Sequence, residues 1–171
     1  MSVNIWKREI MNLEIRKASI QDKTIIQNLL ELYIYDFTEF GQYYVNENGL
    51  FGYKDLDLYW EEEGRDPYLI VVDKKLAGFA LIHSEKNSEG EMVHAVSEFF
   101  VMKLYRGKGI GKEVAFYLFD QYPGLWEVYQ MKTNIPAQFF WRSAIKAYTQ
   151  DNYEEIQIEN WNGPAQRFRT N

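Results

Sequence analysis

Val101-Met102-Lys103-Leu104-Tyr105-Arg106-Gly107-Lys108-Gly109-Ile110-Gly111-Lys112 is the stretch on which the reading of this chain turns. It lies between a β-rich segment and an amphipathic one. Three glycines at alternate positions, Gly107, Gly109 and Gly111, expose backbone N–H groups with no side chain in the way. The start of a helix adds orphan donors and the positive end of its dipole. Together they form an anion cradle suited to a pyrophosphate. Arg106, Lys108 and Lys112 add positive charge there, although the protein as a whole is acidic.

Two well-known phosphate motifs fail on spacing. A P-loop needs four residues between its glycines, then Lys and a hydroxyl. Here three residues separate Gly107 from Gly111, and Glu113 stands where the magnesium-binding hydroxyl belongs. A dinucleotide fingerprint, Gly-x-Gly-x-x-Gly, follows the first strand of a doubly wound sheet. Gly107-x-Gly109-x-Gly111 has another spacing and sits mid-chain.

Outward from the loop, the flanking elements follow from periodicity. Val93 to Met102 reads as a long strand before it. Ile110, Val114 and Leu118, with Ala115, Phe119 and Tyr122, predict a helix after it, stopped by Pro123-Gly124. Upstream, Leu13 to Ala18 alternates like a half-buried strand, and Ser19 with Asp22 resembles a capping box opening a helix through Tyr33. Asp55 to Glu63 predicts a short helix. Tyr68 to Val72 and Leu76 to His83 predict a hairpin turned at Asp73-Lys74-Lys75. Downstream, a strand is expected at Trp126 to Lys132. A helix capped by Asn134, with Pro136 in its first turn, is expected to about Tyr148. Two late strands are expected at Tyr153 to Ile158 and Ala165 to Arg169. This is one mixed α/β domain over residues 1–171, with residues 1–10 as an extension the fold does not need.

With these elements in place, Arg106-x-x-Gly109-x-Gly111 resembles the acetyl-CoA loop of the GNAT N-acetyltransferase superfamily. Asn134-x-x-Ala137-x-x-Phe140-Trp141 resembles the second half of that family's coenzyme site, and Leu76 to Ala80 is similar to its third strand. The resemblance implies an α/β (α+β) fold: a mixed, mostly antiparallel sheet, splayed at the acetyl-CoA site and flanked by helices. It implies that the pantetheine arm bonds to the backbone around Phe99 and Val101. The pyrophosphate is then expected on Arg106, Gly107, Lys108, Gly109, Ile110, Gly111 and Lys112, with Asn134 and Trp141 bordering the arm. The implied reaction is direct acetyl transfer from acetyl-CoA, as co-substrate, to a primary amine. Glu98 is the first candidate for the catalytic base and His94 a weaker one. The family often places a Tyr where Trp141 stands, and indole nitrogen is no useful acid near neutral pH. Tyr148 substitutes only if the helix bends it inward. Two further readings stay open beside the transferase: a GNAT-fold module that binds acetyl-CoA without turnover, and a transferase for another acyl group.

The resemblance also implies that the acceptor binds near the first two helices and their connection, a region that here holds Tyr33, Tyr35, Asp36, Phe37, Glu39, Phe40, Tyr43 and Tyr44. Carboxylates among aromatic rings suit an amine-bearing small molecule. Composition supports this and removes other classes. The net charge of −6 disfavours a nucleic-acid partner. The absence of cysteine excludes disulfides, thiolate metal sites and a cysteine nucleophile, and two histidines are too few for an expected metal centre. No apolar run approaches a membrane span, and the charged Lys7, Arg8 and Glu9 leave no signal-peptide core, so no membrane partner and cytoplasmic residence are expected. A homodimer is expected only by analogy with the family.

Overall fold

The computed structural model describes residues 11–171, so the expected N-terminal extension lies outside the described residues. The alternation of apolar and polar residues in Leu13–Lys17 makes strand β1, and Lys23–Phe37 makes helix α1. The turn between them is closed by Asp22. Its Oδ2 accepts from both Ser19 N–H and Ser19 Oγ–H at 2.9 Å, and the Arg16 guanidinium donates to both its oxygens at 2.8 Å. Three antiparallel strands follow a short helix α2 (Leu58–Glu61): β2 (Arg65–Val72), β3 (Lys75–Lys86) and β4 (Met92–Val101). Helix α3 (Ile110–Gln121) then crosses to β5 (Gly124–Tyr129), and α4 (Ile135–Thr149) leads to β6 (Glu154–Ile156) and β7 (Ala165–Thr170).

The seven strands form one open sheet in the order β1-β2-β3-β4-β5-β7-β6. Every pair is antiparallel except β4 with β5, the pair joined by the α3 crossover. This is the mixed, mostly antiparallel sheet the sequence predicts. Its two faces follow the period of two along the strands. On β2, Tyr68, Ile70 and Val72 pack toward the α3 and α4 residues Val114, Leu118, Phe119 and Ile145. Leu69 points the other way, with Phe79 and Leu81, onto Ile26, Leu29, Leu30 and Tyr33 of α1. Leu30 is wholly buried there, and truncating such a leucine to alanine costs about 2–5 kcal/mol.

The first helix runs on to Phe37 and the hairpin strands lengthen to Arg65–Val72 and Lys75–Lys86. Three other boundaries move, each for a local reason. The helix expected over Asp55 to Glu63 shortens to one turn, because Asp55 sits at φ 63° and Glu62 is extended. The strand expected from Trp126 to Lys132 begins at Gly124 and ends at Tyr129. Gln130 N–H still bonds to Pro164 O at 3.0 Å, but Pro164 has no N–H to return, so the ladder with β7 stops. The strand expected from Tyr153 to Ile158 narrows to Glu154–Ile156, because its partner β7 begins at Ala165, just after the same proline. Among the described residues, no helix is long and apolar enough to cross a membrane.

Candidate active site

Strands β4 and β5 pair only through Val93, His94 and Ala95, opposite Leu125, Trp126 and Glu127. Beyond Ala95 they part, and the gap between them is the splay expected from the sequence. The register of β4 on β3 slips between Leu81 and Ile82, so that Ser97 is the extra residue of a bulge just before Glu98. Past the bulge, Met102 N–H bonds to Ala77 O at 2.8 Å. Antiparallel ladders alternate, so Phe100 also bonds to β3, while the N–H groups of Phe99 and Val101 face the gap. The Val101 carbonyl on that side accepts from Arg106 Nε at 2.6 Å.

Below the gap the glycine loop turns into α3. Gly107 and Gly109 take left-handed φ values of 73° and 89°, which a side chain would resist. Glu113 N–H bonds to Gly109 O at 3.1 Å. Among the described residues, none of the N–H groups from Gly107 to Lys112 has an acceptor in the protein. A run of unpartnered donors at a helix start fits an anionic diphosphate. Phe99, Val101, Arg106, Gly107, Gly109, Gly111, Lys112, Asn134 and Trp141 all line one cavity of about 500 Å³. Two predicted members do not. Ile110 turns its side chain into the core and has only its N–H to offer, and Lys108 extends over the Tyr105 ring. Arg106 is less available than the sequence suggests: its guanidinium bonds Asp36 at 2.6 Å, and Lys103 joins the same carboxylate at 3.2 Å. This ties the loop to the end of α1. Asn134 holds its predicted cap, accepting from Ala137 N–H at 3.1 Å.

A second cavity, of about 700 Å³, adjoins the first and shares Tyr33, Phe37, Phe99, Asn134, Ala137 and Trp141 with it. Glu98 lies in this second compartment. Its Oε2 accepts from Tyr33 Oη–H at 2.5 Å and its Oε1 from Tyr53 Oη–H at 3.0 Å. Burial pushes the Glu98 carboxyl above its ordinary range, while the two phenol hydrogen bonds pull it back only in part. Burial, with Glu98 adjacent, raises both phenols, so they stay donors.

The other expected residues fall into place around these compartments. Trp141 is buried, edge-on to Phe99 at 5.0 Å. Tyr148 lines neither cavity; it bonds Asp120 at 2.6 Å against Phe116 and Phe119, and burial pushes its phenol up to about 12. It cannot stand in for a cavity acid. His94 sits at the paired end of β4, wedged against Tyr122 and Trp126, bonded to Ser84 Oγ at 2.7 Å and to the Pro123 carbonyl at 3.3 Å, and burial lowers its pKa. It lines neither cavity. Of the acceptor region, Tyr33, Phe37, Tyr43 and Tyr44 line the second cavity. Asp36, Glu39 and Phe40 line the first, and Tyr35 points to solvent. Sequence reasoning missed Tyr53, Tyr129 and Trp161, which complete the second cavity. Their only signal was the high aromatic content.

Comparison with known proteins agrees with this geometry. Residues 26–145 match the sequence profile described as the acetyltransferase (GNAT) family. Among curated proteins there is no match. Among solved structures, an acetyltransferase from Thermus thermophilus superposes with a TM-score of 0.70 at 10% identity, over 93% of this chain and 97% of that one. A GNAT-family acetyltransferase from Streptococcus agalactiae gives 0.69 at 13% identity, over 93% and 96%. An aminoglycoside acetyltransferase from an uncultured soil metagenomic sample, in complex with sisomicin, gives 0.61 at 15% identity, over 87% and 93%. At these identities the likeness speaks for the fold.

Proposed function

We propose that this chain, which belongs to the acetyltransferase (GNAT) family, moves the acetyl group of acetyl-CoA to the primary amine of a small molecule by direct attack. The observation that carries the reading is the pair of adjoining cavities, with unpartnered helix-start donors in one and a single carboxylate in the other. Acetyl-CoA supplies a thioester, whose carbonyl is the electrophile. The N–H groups from Gly107 to Lys112 hold its diphosphate, and those of Phe99 and Val101 hold the arm and offer donors to polarise the carbonyl. Tyr33 and Tyr53 fix Glu98 in place. Glu98 accepts a proton from the incoming ammonium, which leaves a neutral amine able to attack, and its raised pKa makes it a better base for that step. As the C–S bond breaks, the departing thiolate takes up the proton that the acylated nitrogen sheds. It needs no strong acid, since a cysteine thiol, as a guide, ionises near a pKa of about 8.5.

The test is release of free thiol from acetyl-CoA against a panel of amines, with Glu98→Gln alongside. A positioned base contributes about 10²–10⁴-fold, so Glu98→Gln is expected to lower kcat by a factor in that range while acetyl-CoA binding, read by calorimetry, stays unchanged. Trp141, at the place where the resembling family often has Tyr, favours a second reading, a module that binds acetyl-CoA without turnover. Tight coenzyme binding with no acceptor-dependent thiol release would favour that reading.

A further inference from the structure

We infer that the acceptor carries one reactive amine on a flat, apolar body, as an arylalkylamine does, and is not a polycation. This rests on the proposed acetyltransferase reading and deepens it.

The inference starts from what the second cavity offers. Its charged lining residues are two, Glu98 and Lys54. Glu98 is held by Tyr33 and Tyr53, and each of its oxygens keeps a second lone pair for an ammonium. Lys54 is exposed, at the rim. The remaining walls are dominated by rings, among them Tyr43, Tyr53, Tyr129, Trp141 and Trp161. Trp161 and Tyr129 lie 6.1 Å apart, centroid to centroid, on the side formed by β5 and the loop before β7. The coenzyme compartment next to it adds Asp36 and Glu39, and Asp36 is already paired with Arg106 and Lys103.

One anchored carboxylate meets one ammonium, and ring faces add cation–π attraction to it. A second or third ammonium in the same molecule finds no carboxylate in this compartment. It meets aromatic walls and the positive charge of Lys54, and an unpaired charge there is disfavoured. A polyhydroxylated body can bond to Ser97, Gln130 and the phenols of Tyr43, Tyr44 and Tyr129, but it leaves the ring faces that make up much of the wall unstacked. A flat apolar body stacks on the rings and is desolvated by them. The volume, about 700 Å³, lies within the range of about 300–1,000 Å³ typical of small-molecule sites.

The experiment is equilibrium binding by calorimetry to the protein saturated with CoA, using 2-phenylethylamine, spermidine, kanamycin and ethanolamine as probes. Turnover with acetyl-CoA is measured separately on the same four. 2-Phenylethylamine is expected to bind at least about tenfold more tightly than each of the others. Trp161→Ala, a rim substitution, is expected to weaken 2-phenylethylamine by about fivefold and to leave ethanolamine unchanged. Equal or tighter binding of spermidine, kanamycin or ethanolamine overturns the inference, as does failure of 2-phenylethylamine to bind. Preferential binding of 2-phenylethylamine without thiol release supports the acceptor class and counts against the catalytic reading, so the two fail separately.

Discussion

Tyr33 and Glu98 stand 65 residues apart in the chain, yet the phenol of one donates a 2.5 Å hydrogen bond to the carboxylate of the other. The bond joins α1 to β4 in the wall of the second cavity. Tyr53 donates to the second oxygen at 3.0 Å. The carboxylate is therefore fixed in direction as well as shifted in pKa, and burial outweighs both phenol donors in setting that shift.

The pH dependence of kcat/KM follows from this balance. With Glu98 as the proposed base, its protonated form cannot take a proton, so activity is expected to be lost as pH falls through its folded pKa. That limb is expected above the ordinary glutamate value of about 4.3. Tyr33→Phe removes a donor that favours the charged form, so it is expected to move the limb to still higher pH. A limb that stays put, or moves down, in Tyr33→Phe would show that the pair does not govern the base.

The glycine loop makes a prediction about binding alone. Gly109 at φ 89° starts α3, and a non-glycine residue in left-handed backbone costs about 1–2 kcal/mol. Gly109→Ala is expected to weaken acetyl-CoA by about tenfold, the equivalent of about 1.4 kcal/mol, as read by calorimetry. Gly90→Ala is the control. Gly90 has a similar φ of 81° in the β3–β4 turn and open space around it. It carries similar backbone strain, and acetyl-CoA affinity is expected to stay unchanged. Equal loss in both variants would mean that Gly109 acts through general stability.

What was legible in the sequence was local. The loop between Val101 and Lys112, the Asn134 cap and the helical stripes are all set by neighbours a few residues away, so spacing alone reveals them. The parting of β4 and β5 was legible only through family resemblance. Tyr53 was not legible, because it sits on a loop without periodicity and meets Glu98 only after α1, β3 and β4 have packed. The Arg106–Asp36 pair was hidden for the same reason: charge count predicts a cation at the loop, but not that α1 brings a carboxylate to it. The ends of β5 and β6 were misplaced because a single proline on the partner side, Pro164, decides both.

The strand-to-helix turn after β1 makes a stability prediction. Asp22 is held well below the usual carboxylate range, first by the Arg16 guanidinium and then by Ser19. A depressed folded pKa contributes stability that is present above the unfolded value of about 3.9 and is lost as pH falls through the folded one. Asp22→Asn is expected to cost about 1 kcal/mol at neutral pH, the scale of a lost cap with a partly exposed ion pair. In thermal melts the gap from the parent protein should narrow as pH drops below that of ordinary aspartates. A gap independent of pH would mean the charge on Asp22 contributes nothing.

Trp141 decides whether the reaction needs an acid in the cavity. Its indole N–H has no hydrogen-bond partner among the described residues, and its ring fills the wall between Phe99 and Phe140. Trp141→Phe removes the N–H and keeps much of the ring. If the thiolate departs unaided, kcat should stay within about threefold of the parent value, far from the roughly 10²–10⁴-fold that a positioned acid contributes. Trp141→Tyr puts a phenol at the same place. It should not raise kcat by more than the same factor if departure is already easy. A large rise in Trp141→Tyr, with Trp141→Phe unchanged, would mean that the parent enzyme works without an acid it would profit from. A large fall in Trp141→Phe, at preserved melting temperature and acetyl-CoA affinity, would instead make the indole N–H a donor to the reacting group.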